Sequence, residues 1–217
     1  MSTLLNLETQ LRFYGAYHDN PVNVAIHIAC VPFILLTAFA LATNTGPLIE
    51  LPEHATIPHL ELNLGTIVCL VYSALYILLE PVAGTGLSAL LLLGTAAGDY
   101  SIGKYGSIAN KTAIGMHIVC WLAQFVGHGK FEGRAPALLD NLFQAFFLAP
   151  LFVWLEILFS LGYRPELQKR VNAMVQQDIA KFRSERDAKR LKAGLDKVNG
   201  KANGAVNGNA NGHAKSS

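Results

Sequence analysis

Long apolar runs separated by short polar stretches dominate the first three quarters of the chain. A membrane-spanning helix needs about 20 mostly apolar residues, and the runs 24–43, 62–79 and 142–162 are read as spans of this kind. Two shorter runs, 82–98 and 113–127, are predicted to be short spans or re-entrant segments. The pattern therefore predicts an all-α, polytopic membrane protein with four to five apolar segments.

Local signals mark where segments begin and which side of the membrane they face. Asp19-Asn20-Pro21 offers an N-cap followed by a proline suited to a first helical position, so a helix is predicted to begin there. The stretch 44–59 has acids and prolines but no Lys or Arg, which is typical of a non-cytoplasmic loop. By the same rule Lys104, Lys111 and the basic C-terminal segment are cytoplasmic. With both termini cytoplasmic the number of crossings is even, and we predict that 82–98 fails to cross.

The C-terminal region has a different composition. Residues 166–195 place apolar side chains at helical spacing among charges, which predicts an amphipathic cytoplasmic helix, either on the membrane surface or capping the bundle. Residues 196–217 repeat Asn, Gly and Ala without an apolar pattern, which predicts a disordered tail. The predicted organisation is a helical membrane catalytic domain over 1–165, followed by this helix and this tail.

The composition agrees with a membrane protein and argues against nucleic acid as a partner. Charged residues make up 15% of the 217 and hydrophobic residues 52%, whereas an ordinary soluble domain carries about 25% charged residues. The formal net charge of +2 is too small to indicate nucleic-acid binding. The oligomeric state does not follow from the sequence.

Histidines are the most informative polar residues. Four of the seven lie in or beside apolar segments: His18, His27, His117 and His128. Ionisable side chains at membrane depth are costly and usually mark a function, and imidazole suits iron, zinc or copper. A shared metal site is one hypothesis, and hydrogen bonding between helices is the alternative.

The spacing of the later histidines restricts the metal hypothesis. His117, Trp121, Gln124 and His128 fall on one helical stripe. On a straight helix His117 and His128 are about 16 Å apart at about 1.5 Å per residue. They can therefore bind one ion only if the helix breaks at 127–129, and otherwise they serve different ligands.

Three further side chains are predicted to act at the site. Gln124 shares the histidine stripe. Glu132 either orients a ligand ring or caps a helix. Arg134 either grips a substrate carboxylate in bidentate fashion or anchors the chain at the membrane interface.

Three motifs in this order resemble a single family. They are Tyr14-x-x-Tyr17-His18-x-x-Pro21-x-Asn23-x-x-x-His27, then His117-x-x-x-Trp121-x-x-Gln124-Phe125-x-Gly127-His128-x-x-Phe131-Glu132-x-Arg134-x-Pro136-Ala137-Leu138, and Pro150-Leu151-Phe152-Val153-Trp154-x-Glu156. The family is the endoplasmic-reticulum membrane family that contains the 2-hydroxy fatty acid dioxygenase of phytosphingosine breakdown. The resemblance covers residues 11–165.

The resemblance implies an Fe(II)-dependent α-oxidation in sphingolipid catabolism. A 2-hydroxy fatty acid and O₂ give the fatty acid one carbon shorter, in the endoplasmic-reticulum membrane and in contact with membrane lipid. The implied iron ligands are His18, His27, His117 and His128. Two other classes stay open, a membrane haem protein with paired axial histidines and a non-catalytic lipid-binding scaffold.

Overall fold

A computed structural model describes residues 5–133 and 141–210, with side chains up to residue 194. In this part of the chain, extended structure is limited to one bridge between Ile49 and Leu62, so the all-α prediction is confirmed. The α-helices are α1 Leu7–Gly15, α2 Pro21–Thr43, α3 Leu64–Leu79, α4 Pro81–Tyr105, α5 Ser107–Val126, α6 Ala149–Ser160 and α7 Pro165–Ala210. There are also two π-helical segments: Gly127–Glu132 follows α5, and Gln144–Leu148 precedes α6.

Helix α2 is the centre of the bundle and packs against α3, α4, α5 and α6. It begins as predicted, because Asn20 accepts a hydrogen bond from the Val22 N–H (2.9 Å) and Pro21 occupies the first turn. Gly94 and Gly98 of α4 face α2 so closely that a Cβ at either position would collide with it. These glycines let the two helices approach each other.

Four helices, α2 to α5, run alternately up and down. The end of α2 and the start of α5 meet where the Asn44 side chain donates to Asn110 Oδ1 (2.8 Å). The start of α3 joins the same end, since the Leu64 N–H donates to Thr45 Oγ1 (3.1 Å). The α3–α4 corner lies at the opposite end, where buried Glu80 pairs with Arg164.

This arrangement corrects part of the predicted sidedness. Lys104 ends α4 and Lys111 lies in the first turns of α5, so both sit at the end of the bundle that carries the loop 44–59. The sequence placed these lysines and that loop on opposite sides of the membrane. The positive-inside rule gave the wrong result here because two isolated lysines are a weak topological signal, whereas the packing of α4 and α5 fixes the end of the bundle at which these lysines lie.

The length and composition of α4 do not favour the predicted failure of 82–98 to cross. This run lies inside α4, which has 25 residues and is long and apolar enough to cross a membrane, as is α2. A third span arises in the described chain only if Gln144–Ser160 is joined with the helix that follows it. Predicted span 142–162 contains one helical stretch, Gln144–Ser160, in which the π-helical turns of Gln144–Leu148 pass directly into α6 next to Pro150.

The C-terminal helix α7 contains the predicted amphipathic segment and continues beyond it. The chain forms two compact units, Met1–Asn172 and Ala173–Ser217, and the domain boundaries at 165 and 195 stay predictions. The backbone is helical as far as Ala210, whereas disorder was predicted from residue 196. This stretch is rich in Asn and Gly, which have low helix propensity, so composition does not explain its helical backbone. Residues 211–217 lie outside the described part.

Candidate metal centre and acyl cavity

His18 lies between α1 and α2 and presents one ring nitrogen. Its Nδ1–H donates to the carbonyl oxygen of Tyr14 (2.9 Å), which leaves Nε2 unprotonated. That Nε2 is buried and has no hydrogen-bond partner among the described residues. The Tyr14 ring stacks on the His18 ring at 4.1 Å between centroids and fixes its plane.

His27 is oriented in the same way from the second turn of α2. Its Nδ1–H donates to the carbonyl oxygen of Asn23 (2.9 Å), and the ring is buried. A carbonyl oxygen can only accept, so the proton is on Nδ1 and Nε2 carries the free lone pair. Such a bond to the second nitrogen is what positions a histidine as a metal ligand.

His128 comes from the π-helical segment after α5. It is 3% exposed, and its Nδ1 has no partner within the described chain. Of the two alternatives that the sequence left open, a helix break at 127–129 is not seen, and a wider π-helical turn of the kind frequent at functional sites lies there instead.

These three histidines form a compact cluster. Ring centroids are 4.3 Å apart for His18 and His27, and 4.9 Å apart from each of these to His128. One ligand nitrogen from each ring lies within 4.8 Å of the others. Imidazole binds a metal at about 2.0–2.1 Å, so two nitrogens on one ion are about 3–4 Å apart and the rings need to close by at most about 1–2 Å. The donor set fits a transition metal.

Burial keeps the rings of His18 and His128 neutral. It lowers the pKa of His18 well below its usual value, and a charge on neighbouring His27 lowers the pKa further. Burial likewise lowers the pKa of His128. Both rings are therefore unprotonated near neutral pH, the form in which imidazole binds a metal.

His117 lies apart from the cluster, in contrast to the predicted four-histidine set. The Trp121 N–H donates to its Nε2 (3.0 Å), and its Nδ1–H donates to Thr37 Oγ1 (2.9 Å). Both ring nitrogens are thus engaged. The physical reason is distance, because α5 is a regular helix to Val126 and carries His117 about three turns from His128.

Glu132 connects the segment that carries His128 to the N-terminus of α2. Its carboxylate accepts hydrogen bonds from the N–H groups of Asp19 (3.2 Å) and Asn20 (3.1 Å) and from the side-chain amide of Asn23 (3.1 Å). A carboxylate at a helix N-terminus is also stabilised by the helix dipole. Glu132 thereby joins the segment of His128 to the start of α2, and these contacts indicate a positioning role.

A cavity of about 370 Å³ extends from the cluster into the bundle. Its polar end is lined by the three histidines, Tyr14 and Gln124, and most of its remaining wall is apolar. Gln124 is 6% exposed, and neither its side-chain nitrogen nor the Tyr14 hydroxyl has a partner among the described residues. Buried polar groups are normally paired, so these two donors are available to a ligand.

Arg134 and Tyr14 differ from the other site residues in how the sequence and the structure treat them. Arg134 lies outside the described residues, and its role stays a prediction. Sequence reasoning did not single out Tyr14 as a site residue; the spacing of four between Tyr14 and His18 is the signal that could have found it.

Comparison with known proteins identifies the family of this chain. Residues 4–161 match the family model described as "2-hydroxy-palmitic acid dioxygenase Mpo1-like". The chain belongs to the Mpo1-like family. It is 39% identical over 179 residues to the 2-hydroxy-palmitic acid dioxygenase MPO1 of Saccharomyces cerevisiae, covering 81% of this chain and 91% of that protein. No solved structure matches. The matched segment contains all three histidines of the cluster and every residue that lines the cavity.

Proposed function

We propose that this protein is an Fe(II)-dependent dioxygenase that shortens 2-hydroxy fatty acids by one carbon. The observation that carries the proposal is the position of three clustered histidines, His18 half-buried and His27 and His128 buried, at the polar end of an apolar cavity. Family membership supports it, because the yeast relative is named as a 2-hydroxy-palmitic acid dioxygenase. An endoplasmic-reticulum location and a place in sphingolipid breakdown belong to the same proposal.

The overall reaction balances without a further reductant. A 2-hydroxy acid and O₂ give the acid one carbon shorter, CO₂ and water, so the substrate supplies all four electrons that O₂ accepts. The bond between C1 and C2 breaks, and C2 becomes the new carboxyl carbon. When bound by His18, His27 and His128, Fe(II) supplies an electron donor for O₂ and a template for the substrate.

The chain's own side chains place and shield the substrate. The Gln124 amide and the Tyr14 hydroxyl line the polar end and can donate hydrogen bonds to the substrate carboxylate or 2-hydroxyl. The apolar wall takes the acyl chain and excludes water from the cluster. Glu132 holds the helix start and the His128 segment together.

The cluster geometry disfavours the haem alternative. Two axial histidines face each other across a porphyrin plane, whereas here a third ring lies within 4.9 Å of both of the others. That third ring occupies the space in which the macrocycle would lie. Purified protein should therefore lack a Soret band.

Turnover of a defined substrate tests the proposal. Anaerobically purified, iron-loaded protein in detergent is mixed with O₂ and 2-hydroxypalmitate, and the acid one carbon shorter is quantified by mass spectrometry. O₂ uptake should match product formation. The variant His128→Ala should lose both, while His59→Ala, at an exposed loop position, should keep both. A scaffold protein would consume no O₂ with any 2-hydroxy acid.

A further inference from the structure

The cavity follows one face of α2. Seven residues of that helix line the cavity, and five of them, His27, Val31, Leu35, Ala38 and Ala42, follow one another in steps of four, four, three and four residues, with Ile34 and Phe39 beside them. Such steps keep side chains on a single helical face. From His27 to Ala42 the rise is about 22 Å, at about 1.5 Å per residue over 15 residues. The cavity is therefore long in one direction, and the metal cluster lies at its start.

The two ends of the cavity differ in chemistry. At the start are the histidine cluster and Gln124, a buried amide whose nitrogen has no partner among the described residues. Near Ala42 the lining is apolar and includes Leu64 and Val68 of α3. A ligand with one polar head and one unbranched apolar tail matches this polarity, and it can lie in only one direction.

Ala38 and Ala42 are the smallest side chains that α2 contributes to this lining, and they stand one helical turn apart. We propose that these two alanines set the longest acyl chain that the protein accepts. This inference rests on the proposed function, since the occupant is the acyl chain of a 2-hydroxy fatty acid with its head at the cluster.

The length of the cavity along α2 gives the length of the acyl chain that fits in it. Carbon–carbon bonds of about 1.5 Å advance a fully extended chain by about 1.3 Å each. A distance of about 22 Å then takes about 17 bonds, which corresponds to a long-chain acid. The four residues between Ala38 and Ala42 rise about 6 Å, or about five carbons. A side chain that blocks the cavity at Ala38 should shorten the limit by about five carbons more than one at Ala42.

The test is a chain-length profile. Unbranched 2-hydroxy acids of about 10 to about 20 carbons are supplied to the wild type and to Ala42→Phe and Ala38→Phe. For the longest acids kcat/KM should fall by about tenfold or more, because a filled cavity cannot be overpacked without cost. Retained turnover of short acids shows that each variant is folded. The variants Ala42→Leu and Ala38→Leu give a milder series in case a phenylalanine prevents folding.

A matched control comes from the same helix. Ala29 is exposed and does not line the cavity, so Ala29→Phe should keep the wild-type profile. Equal profiles in all variants, or a uniform loss at every chain length, would overturn the proposal. If the wild type turned over no 2-hydroxy acid, the proposed function would fail. The length limit is then read from equilibrium binding of the same acids, followed by the fluorescence of Trp121 in the cavity wall.

Discussion

Replacing Glu132 by Gln should loosen the metal cluster without altering any of its rings. The carboxylate accepts three hydrogen bonds, from the N–H groups of Asp19 and Asn20 and the amide of Asn23. A glutamine has one accepting oxygen, and its NH₂ group faces at least one of these donors. The variant therefore loses at least one bond and the charge that strengthens the others.

The size of the effect follows from these contacts. Hydrogen bonds to a charged group contribute about 1.5–3 kcal/mol each, and Glu132 is half-buried, so the free energy of unfolding should fall by about 2–3 kcal/mol. Residues that orient metal ligands change metal affinity by about 10–100-fold. We expect a loss in this range, because Asn23 also holds the His27 ring.

The assay separates positioning from general stability. Metal affinity is measured by competition with a chelator, and stability is measured by thermal unfolding of the metal-free protein. Asn63→Ala is the control, since it removes the N-cap of α3 and should cost about 1 kcal/mol of stability with unchanged metal affinity. Wild-type metal affinity in Glu132→Gln would refute the reasoning.

Three further predictions follow from the same contacts. His117→Ala should keep its iron and lose stability, because only Trp121 and Thr37 lose a partner; metal analysis and thermal unfolding check this. Gln124→Leu should raise KM for 2-hydroxy acids by about tenfold, the effect of about 1.4 kcal/mol, with iron content unchanged in the same preparation. Cysteines introduced at exposed Glu53 and Lys111 should react with an impermeant maleimide from the same side of the membrane.

Each of these predictions has a contradicting result. Loss of iron in His117→Ala would restore the four-histidine set. An unchanged KM in Gln124→Leu would remove the amide from substrate binding. Labelling of the residues 53 and 111 from opposite sides would contradict the shared end of α2 and α5. A cysteine at Lys130, near the cluster, is the reference and should label from the other side.

Local signals in the sequence predicted the parts of the fold that depend on neighbouring residues. The start of α2 at Pro21 followed from the Asn20 cap, and the apolar run of α2 followed from composition. The same reasoning did not reveal that Gly94 and Gly98 of α4 make close contacts with α2. That use of glycine depends on a partner helix, which periodicity along one segment does not reveal.

The candidate site was predictable to a similar extent. Burial among apolar residues singled out His18, His27 and His128 correctly as residues that meet in space. It could not separate them from His117, whose partner Thr37 is 80 positions away in the chain. The contacts of Glu132 with the start of α2 span more than 100 positions and likewise have no local signal.

Iron stoichiometry tests the central claim most directly. Protein purified anaerobically with Fe(II) should hold one iron per chain in the wild type. The single variants His18→Ala, His27→Ala and His128→Ala should each hold almost none, while remaining folded and inserted in membranes. Full iron occupancy in any of these three variants would contradict a metal centre built from this cluster.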